Sequence, residues 1–106
     1  MLTWLSKLLP FRRYEIVGES MLPDVAPGER VVVSKIAYWL RKPSRGDLVV
    51  LRDPRDQRRL LLKRLDAPAG ERSWNVLGTN ANASTDSRTF GPVGRELFVG
   101  KVLLRY

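Results

Sequence analysis

Two residues of this 106-residue chain have the chemistry for covalent catalysis, a serine and a lysine. Ser20 lies in Gly18-Glu19-Ser20-Met21-Leu22-Pro23. Upstream, Tyr14-Glu15-Ile16-Val17 reads as a strand. Gly18 lets the backbone bend and lets another backbone come close. Pro23 stops a regular strand from continuing. The spacing therefore predicts a hydroxyl displayed where a strand ends and the chain turns. A turn serine commonly does no more than hydrogen-bond its local backbone, so the hexapeptide by itself leaves both uses open.

A hydroxyl attacks an amide only if its proton leaves as the new bond forms. The chain contains no histidine and no cysteine. A Ser-His-Asp triad, a cysteine nucleophile, a disulfide and an imidazole or thiolate metal site are thereby excluded. The base must be a lysine, a carboxylate or a metal-bound water. Lys63 is the candidate. It ends the apolar run Leu60-Leu61-Leu62, which predicts a strand buried on both faces. Burial disfavours the ammonium form. Bringing an ordinary lysine pKa to a working value near 8 takes about 3 kcal/mol of differential desolvation. The competing reading puts Lys63 at a strand edge with its ammonium reaching into water.

Several elements would have to position this pair. Arg30–Ile36, Leu48–Arg52, Arg59–Leu65, Arg72–Leu77 and Leu97–Tyr106 read as strands, being rich in β-branched or apolar residues between Gly/Pro turns. Ile36–Lys42 reads as a helical turn whose Trp39 and Leu40 cover the core. Asp53–Gln57 is a charged hairpin loop, and Asn80–Arg88 is a polar loop too long for mere linkage. Many short strands argue for a mainly β fold, a compact antiparallel barrel or folded sheet. Residues 14–106 form one domain on this reading, preceded by an amphipathic segment, residues 1–13. Its apolar face (Met1, Leu2, Trp4, Leu5, Leu8, Leu9) ends at Pro10. Nine helical residues span about 14 Å, half of a bilayer core, so no transmembrane helix is expected. The segment either lies in a membrane interface, with Arg12 and Arg13 against anionic lipid, or packs on the domain or a partner. The net charge of +8, from 19 basic and 11 acidic residues, suits an anionic partner. The cations are scattered without interleaved aromatics, which makes nucleic acid a poor candidate.

The serine and lysine blocks do not stand alone. Gly18–Pro23 is followed in order by Pro27-Gly28-Glu29-Arg30-Val31-Val32-Val33, Arg45-Gly46-Asp47-Leu48-Val49-Val50, Leu61-Leu62-Lys63-Arg64-Leu65, Gly78-Thr79-Asn80 and Ser84-Thr85-Asp86-Ser87-Arg88. From Tyr14 to Arg105 this set resembles the signal peptidase I family of Ser/Lys endopeptidases, relatives of the LexA-like self-cleaving repressors. The resemblance implies a LexA/signal-peptidase-like fold with Ser20 as nucleophile and Lys63 as general base. It implies that the Ser20 backbone N–H stabilises the oxyanion and that Met21 shapes the substrate floor. Ser84 would hold the lysine towards the nucleophile, Asp86 and Arg88 would brace the site, and Asn80 would shape a loop. No cofactor and no metal are implied.

Two positions depart from the family pattern. The family often has Asp where this chain has Thr79, which leaves Arg64 without that carboxylate. Some members carry a serine at the position of Gly18 that helps bind the oxyanion; its loss can cost on the order of 10²-fold in rate. Size and the run Arg13–Met21 most resemble the nickel-type superoxide dismutase maturation proteases. That resemblance implies a cytoplasmic enzyme, with peripheral membrane contact open through residues 1–13, and a precursor protein partner whose N-terminal extension it removes. The alternatives are a minimal signal-peptidase-like enzyme at the membrane surface, and a non-catalytic basic binding or dimerisation module of the same fold.

Overall fold

A computed structural model describes residues 10–17, 21, 24–80 and 85–106. Its strands are β1 (Phe11–Glu15), β2 (Arg30–Ser34), β3 (Leu48–Asp53), β4 (Asp56–Pro68), β5 (Ser73–Leu77), β6 (Val93–Gly94) and β7 (Phe98–Arg105). They form one antiparallel sheet in the order β1-β2-β7-β3-β4-β5-β6. The fold is mainly β, and of the two architectures expected it is the folded sheet. Among the described residues, helix is limited to single turns at Ala37–Leu40, Ser87–Phe90 and Arg95–Leu97.

Alternation along β3 explains how one sheet covers two cores. Leu48 and Val50 point to one face and Val49 and Leu51 to the other. The first face packs with Ile16, Met21, Val25, Val31 and Val33. The second packs with Leu65, Val76 and Val93. The sheet curls around the first cluster, because the tail of β1 and the first half of β4, at opposite sides of a five-strand run, line one groove. Irregular pairing at Val32/Val33, Arg52/Asp53 and Val50/Leu51 supplies the bends.

Gly100 in β7 is where the strands come closest. A Cβ there would lie 2.2 Å from the backbone oxygen of Ser34 and 2.7 Å from a Val33 methyl. Only a residue without a side chain fits between β2 and β3.

The sequence pattern placed some segments differently. The first strand begins at Phe11 and ends before Ile16, whose backbone pairs with Glu29 and Gly28 instead. Trp39 and Leu40 do not cover the core; both are exposed, and Tyr38 packs inward in their place. In a four-residue helical turn only one side chain reached the sheet, and apolar character alone does not say which. The charged loop at 53–57 is a two-residue turn, since Asp56 and Gln57 already belong to β4. Ser87 and Arg88, expected in a loop, start a helical turn. The N-terminal segment to Leu9 lies outside the described residues.

Arg64 has a carboxylate partner after all, and it is Asp24. The Arg64 guanidinium lies 3.4 Å from Asp24 Oδ2 and donates to the Gly46 carbonyl at 2.8 Å. Thr79 Oγ1 donates to the same Asp24 oxygen at 2.9 Å. A hydroxyl donor at position 79 thus orients a carboxylate supplied by a different loop. This tie joins segments 40 and 55 residues apart.

Gly100→Ala is expected to destabilise the chain by about 3 kcal/mol, because the obstruction is backbone; the corresponding fall in melting temperature is roughly 10–20 °C by calorimetry. Thr79→Asp is expected to destabilise by up to about 1 kcal/mol, by setting two carboxylates together. The double variant Asp24→Asn/Thr79→Asp should recover most of that loss, because Arg64 regains a single anionic partner. Urea titration of the four-member cycle measures the recovery, and additivity would refute the tie.

Candidate active site

Lys63 follows three leucines in β4, and only in part does the run behave as its apolarity predicts. Leu60 is exposed and Leu61 and Leu62 are half-buried, yet Lys63 is only 2 % exposed. Leu60 sits where β4 has β3 on one side and, among the described residues, no strand on the other; β5 pairs only from Arg64 onward. Lys63 faces the second cluster, opposite Val49 on β3. The edge position and the buried side chain therefore coexist, and the ammonium does not reach into open water.

Burial lowers the Lys63 pKa from the ordinary 10.5, and burial is the largest cause. Asp86 acts against it, raising the pKa, Arg88 and Arg55 lower it, and Asp53, the smallest of these causes, raises it. Both carboxylates are almost inaccessible to solvent.

Those two carboxylates are built alike. In Asp86-Ser87-Arg88 the Asp86 carboxylate accepts from the backbone N–H and the Nε of Arg88, both at 3.0 Å, and pairs with Arg88 Nη2. It also accepts from the Gly78 N–H at 2.8 Å and caps the helical turn that starts at Ser87. Arg88 donates in turn to the Gly78 carbonyl at 3.1 Å. In Asp53-Pro54-Arg55 the Asp53 carboxylate accepts from the Arg55 N–H at 2.9 Å, from Nε at 3.0 Å and from Nη2 at 2.8 Å. Arg55 lies 5.4 Å from the Phe90 ring centre, so the second brace leans on the turn that Asp86 caps. Each acid holds an arginine two residues on, a short-range arrangement, and Asp86 adds the Gly78 N–H from eight residues back. The Asp-x-Arg spacing occurs a third time at Asp56-Gln57-Arg58, where both side chains face solvent. The resemblance implied a brace at Asp86 and Arg88; Asp53 and Arg55 were not singled out, although the same Asp-x-Arg spacing marks them.

A groove of about 530 Å³ opens beside Lys63. Tyr14–Val17 form one wall, Arg59–Lys63 the other, and Met21 and Thr85 also line it. Consecutive residues of a strand point to opposite faces. Five in a row reach one groove only when the groove runs along the strand's edge. The lining is mixed, with Ile16, Val17 and Leu60–Leu62 beside Glu15, Arg55, Arg59 and Thr85.

Of the remaining expected site residues, Met21 is buried in the first cluster and touches the groove. Its carbonyl accepts from the Val25 N–H at 2.9 Å, closing the turn after it. Asn80 is half-buried, two residues beyond the Gly78 that Asp86 holds. Ser20, Gly18 and Ser84 lie outside the described residues. Lys63 and Met21 thus line one groove, and Asp86 and Arg88 act electrostatically on Lys63.

Comparison with known proteins gives this arrangement a lineage. The family model described as "Signal peptidase, peptidase S26" matches residues 1–74, which include Ser20 and Lys63 and end before Asn80, Ser84, Asp86 and Arg88. The chain is 36 % identical to mitochondrial ATP-independent inner membrane protease subunit 1a of Arabidopsis thaliana, over 83 % of this chain and 66 % of that protein. Subunit 1b of the same organism is 32 % identical, over 83 % and 65 %. Signal peptidase I of Leptolyngbya laminosa is 25 % identical, over 86 % and 66 %. The chain therefore spans just under two thirds of the length of these relatives. The family match over most of the chain, together with a relative more than 30 % identical across four fifths of it, makes this protein a member of the signal peptidase, peptidase S26 family.

Proposed function

We propose that the chain is a serine endopeptidase that removes an N-terminal extension from a precursor protein, with Ser20 as nucleophile and Lys63 as general base. The observation that carries this reading is Lys63 itself. It is a lysine buried beside an edge-lined groove, with its charged form disfavoured by that burial. Ser20 is the covalent neighbour of Met21, which lines the same groove. With no histidine in the chain, no imidazole competes for the role.

In the proposed reaction an extended segment of the precursor lies along the open edge of β4, its backbone bonding to the strand as an added strand would. The neutral Lys63 amine takes the Ser20 proton as Oγ attacks the scissile carbonyl. The Ser20 backbone N–H donates to the carbonyl oxygen as negative charge develops on it. Lys63, now an ammonium, returns the proton to the departing amine as the C–N bond breaks. Water then enters, Lys63 takes its proton, and hydrolysis of the ester restores Ser20. Met21 forms part of the groove floor. Ser84 hydrogen-bonds the lysine. Asp86 and Arg88 hold the segment after Gly78 against the Lys63 side of the sheet, and Asn80 shapes its course.

The precursor suggested by the sequence resemblance is a nickel-type superoxide dismutase. The relatives' names, an inner membrane protease and signal peptidases, favour a second reading in which the precursor is met at a membrane surface. Incubation of the purified chain with either precursor, followed by N-terminal sequencing of the product, separates the two. On both readings Ser20→Ala and Lys63→Ala should each lower kcat at least 10³-fold while leaving the fold intact by circular dichroism. Processing at the normal rate by either variant would refute the dyad.

The lysine must be uncharged to accept a proton. Activity should therefore fall as pH drops through its lowered pKa, and rise to a plateau below the ordinary lysine range. Arg88→Gln removes a cation that disfavours the ammonium, so the limb should move to higher pH. Asp86→Asn removes an anion that favours it, so the limb should move to lower pH. Opposite shifts in kcat/KM against pH cannot come from general damage to the fold, and equal or absent shifts would exclude Lys63 as the titrating base.

A further inference from the structure

The helical turn Ala37–Leu40 holds two large apolar side chains out in water. Trp39 is 83 % exposed and Leu40 81 %. The turn does not expose them through looseness. Tyr38, between Ala37 and Trp39, packs against Phe98 with ring centres 6.1 Å apart, and its hydroxyl donates to Asp47 at 2.8 Å. Arg95 donates to the Tyr38 carbonyl at 3.2 Å, and the Arg41 N–H to the Ala37 carbonyl at 3.1 Å. Pro43 is buried just beyond. Anchored on both sides, the turn projects Trp39 and Leu40 outward.

Their surroundings are basic. Between residues 30 and 46 the chain has Arg30, Lys35, Arg41, Lys42 and Arg45 and no carboxylate. Among the described residues neither Arg41 nor Lys42 forms an ion pair. An indole and a leucine flanked by cations match the headgroup boundary of an anionic bilayer. The ring and the aliphatic chain enter the acyl margin there, and the charges meet phosphates.

We infer that Trp39 and Leu40, with Arg41 and Lys42, form a docking point for an anionic lipid surface. A second copy of the chain fits poorly, because a two-fold contact centred on this turn would set each cation pair against itself. A rigid protein partner fits poorly as well. A stable interface buries on the order of 1,000 Å² or more, far beyond what one four-residue turn offers. A fluid bilayer needs no complementary pocket. The inference is independent of the proposed dyad and of residues 1–13.

The absence of native cysteine allows a clean test on the full chain. Leu40→Cys carrying an environment-sensitive fluorophore should shift to the blue, and be quenched by spin-labelled lipid, on vesicles of phosphatidylcholine mixed with phosphatidylglycerol. Vesicles of phosphatidylcholine alone should produce little of either effect. Trp39→Ser/Leu40→Ser should weaken vesicle co-sedimentation about tenfold. Arg41→Gln and Lys42→Gln should each weaken it about fivefold at low salt. Unchanged co-sedimentation of Trp39→Ser/Leu40→Ser would overturn the inference. So would a label at position 40 that stays in water while the chain binds vesicles, because another segment then carries the contact. A concentration-dependent dimer abolished by the same double variant would also overturn it, in favour of self-association.

Discussion

The arrangement around the groove depends on keeping one amine out of water. An ammonium transferred into a poorly solvated site costs several kcal/mol unless an opposite charge compensates it. Here compensation is rationed. Two buried carboxylates act on Lys63, but each already holds the guanidinium two residues along its own chain. The arginines oppose the carboxylates, burial dominates, and the amine is displaced towards its neutral form. Without these arginines, the two acids would oppose the effect of burial with less to counter them.

The fold serves that constraint through strand length. β4 is the longest strand, and β3 covers one of its edges while β5 begins to cover the other only at Arg64. Among the described residues Lys63 is thus the last of β4 before β5 pairs with it, and like Leu61 it faces the second core. One step towards the N-terminus a side chain faces the first core. Three steps back, at Leu60, it meets solvent. The curl of the sheet brings the tail of β1 opposite that edge, and with it Met21. The groove along β4 and the burial of Lys63 are set by a single register.

Most of the strands were legible because their apolar and β-branched runs sit between Gly and Pro turns. Short elements were not. Val93-Gly94 is a two-residue strand, and nothing in so brief a segment distinguishes it from a loop. Trp39 and Leu40 carried an apolar signal that pointed inward, yet Tyr38 took the inward place by pairing its hydroxyl with Asp47. The carboxylate for Arg64 was equally hidden, because Asp24 lies 40 residues away and only folding makes them neighbours.

By itself the sequence determined the chemistry that was open to this chain. Without histidine or cysteine, a serine hydroxyl can be served only by an amine, a carboxylate or a bound metal. The ordered blocks around Ser20 and Lys63 pointed to a family whose membership comparison then established. Residue types and local spacing suffice for that, since both are written along the chain. Tertiary structure alone decided that Lys63 is buried rather than reaching into water, that Asp53 joins Asp86 beside it, and that a groove follows the edge of β4. Those facts concern solvent exclusion and distance between remote segments, and both arise only when strands far apart in sequence are packed together.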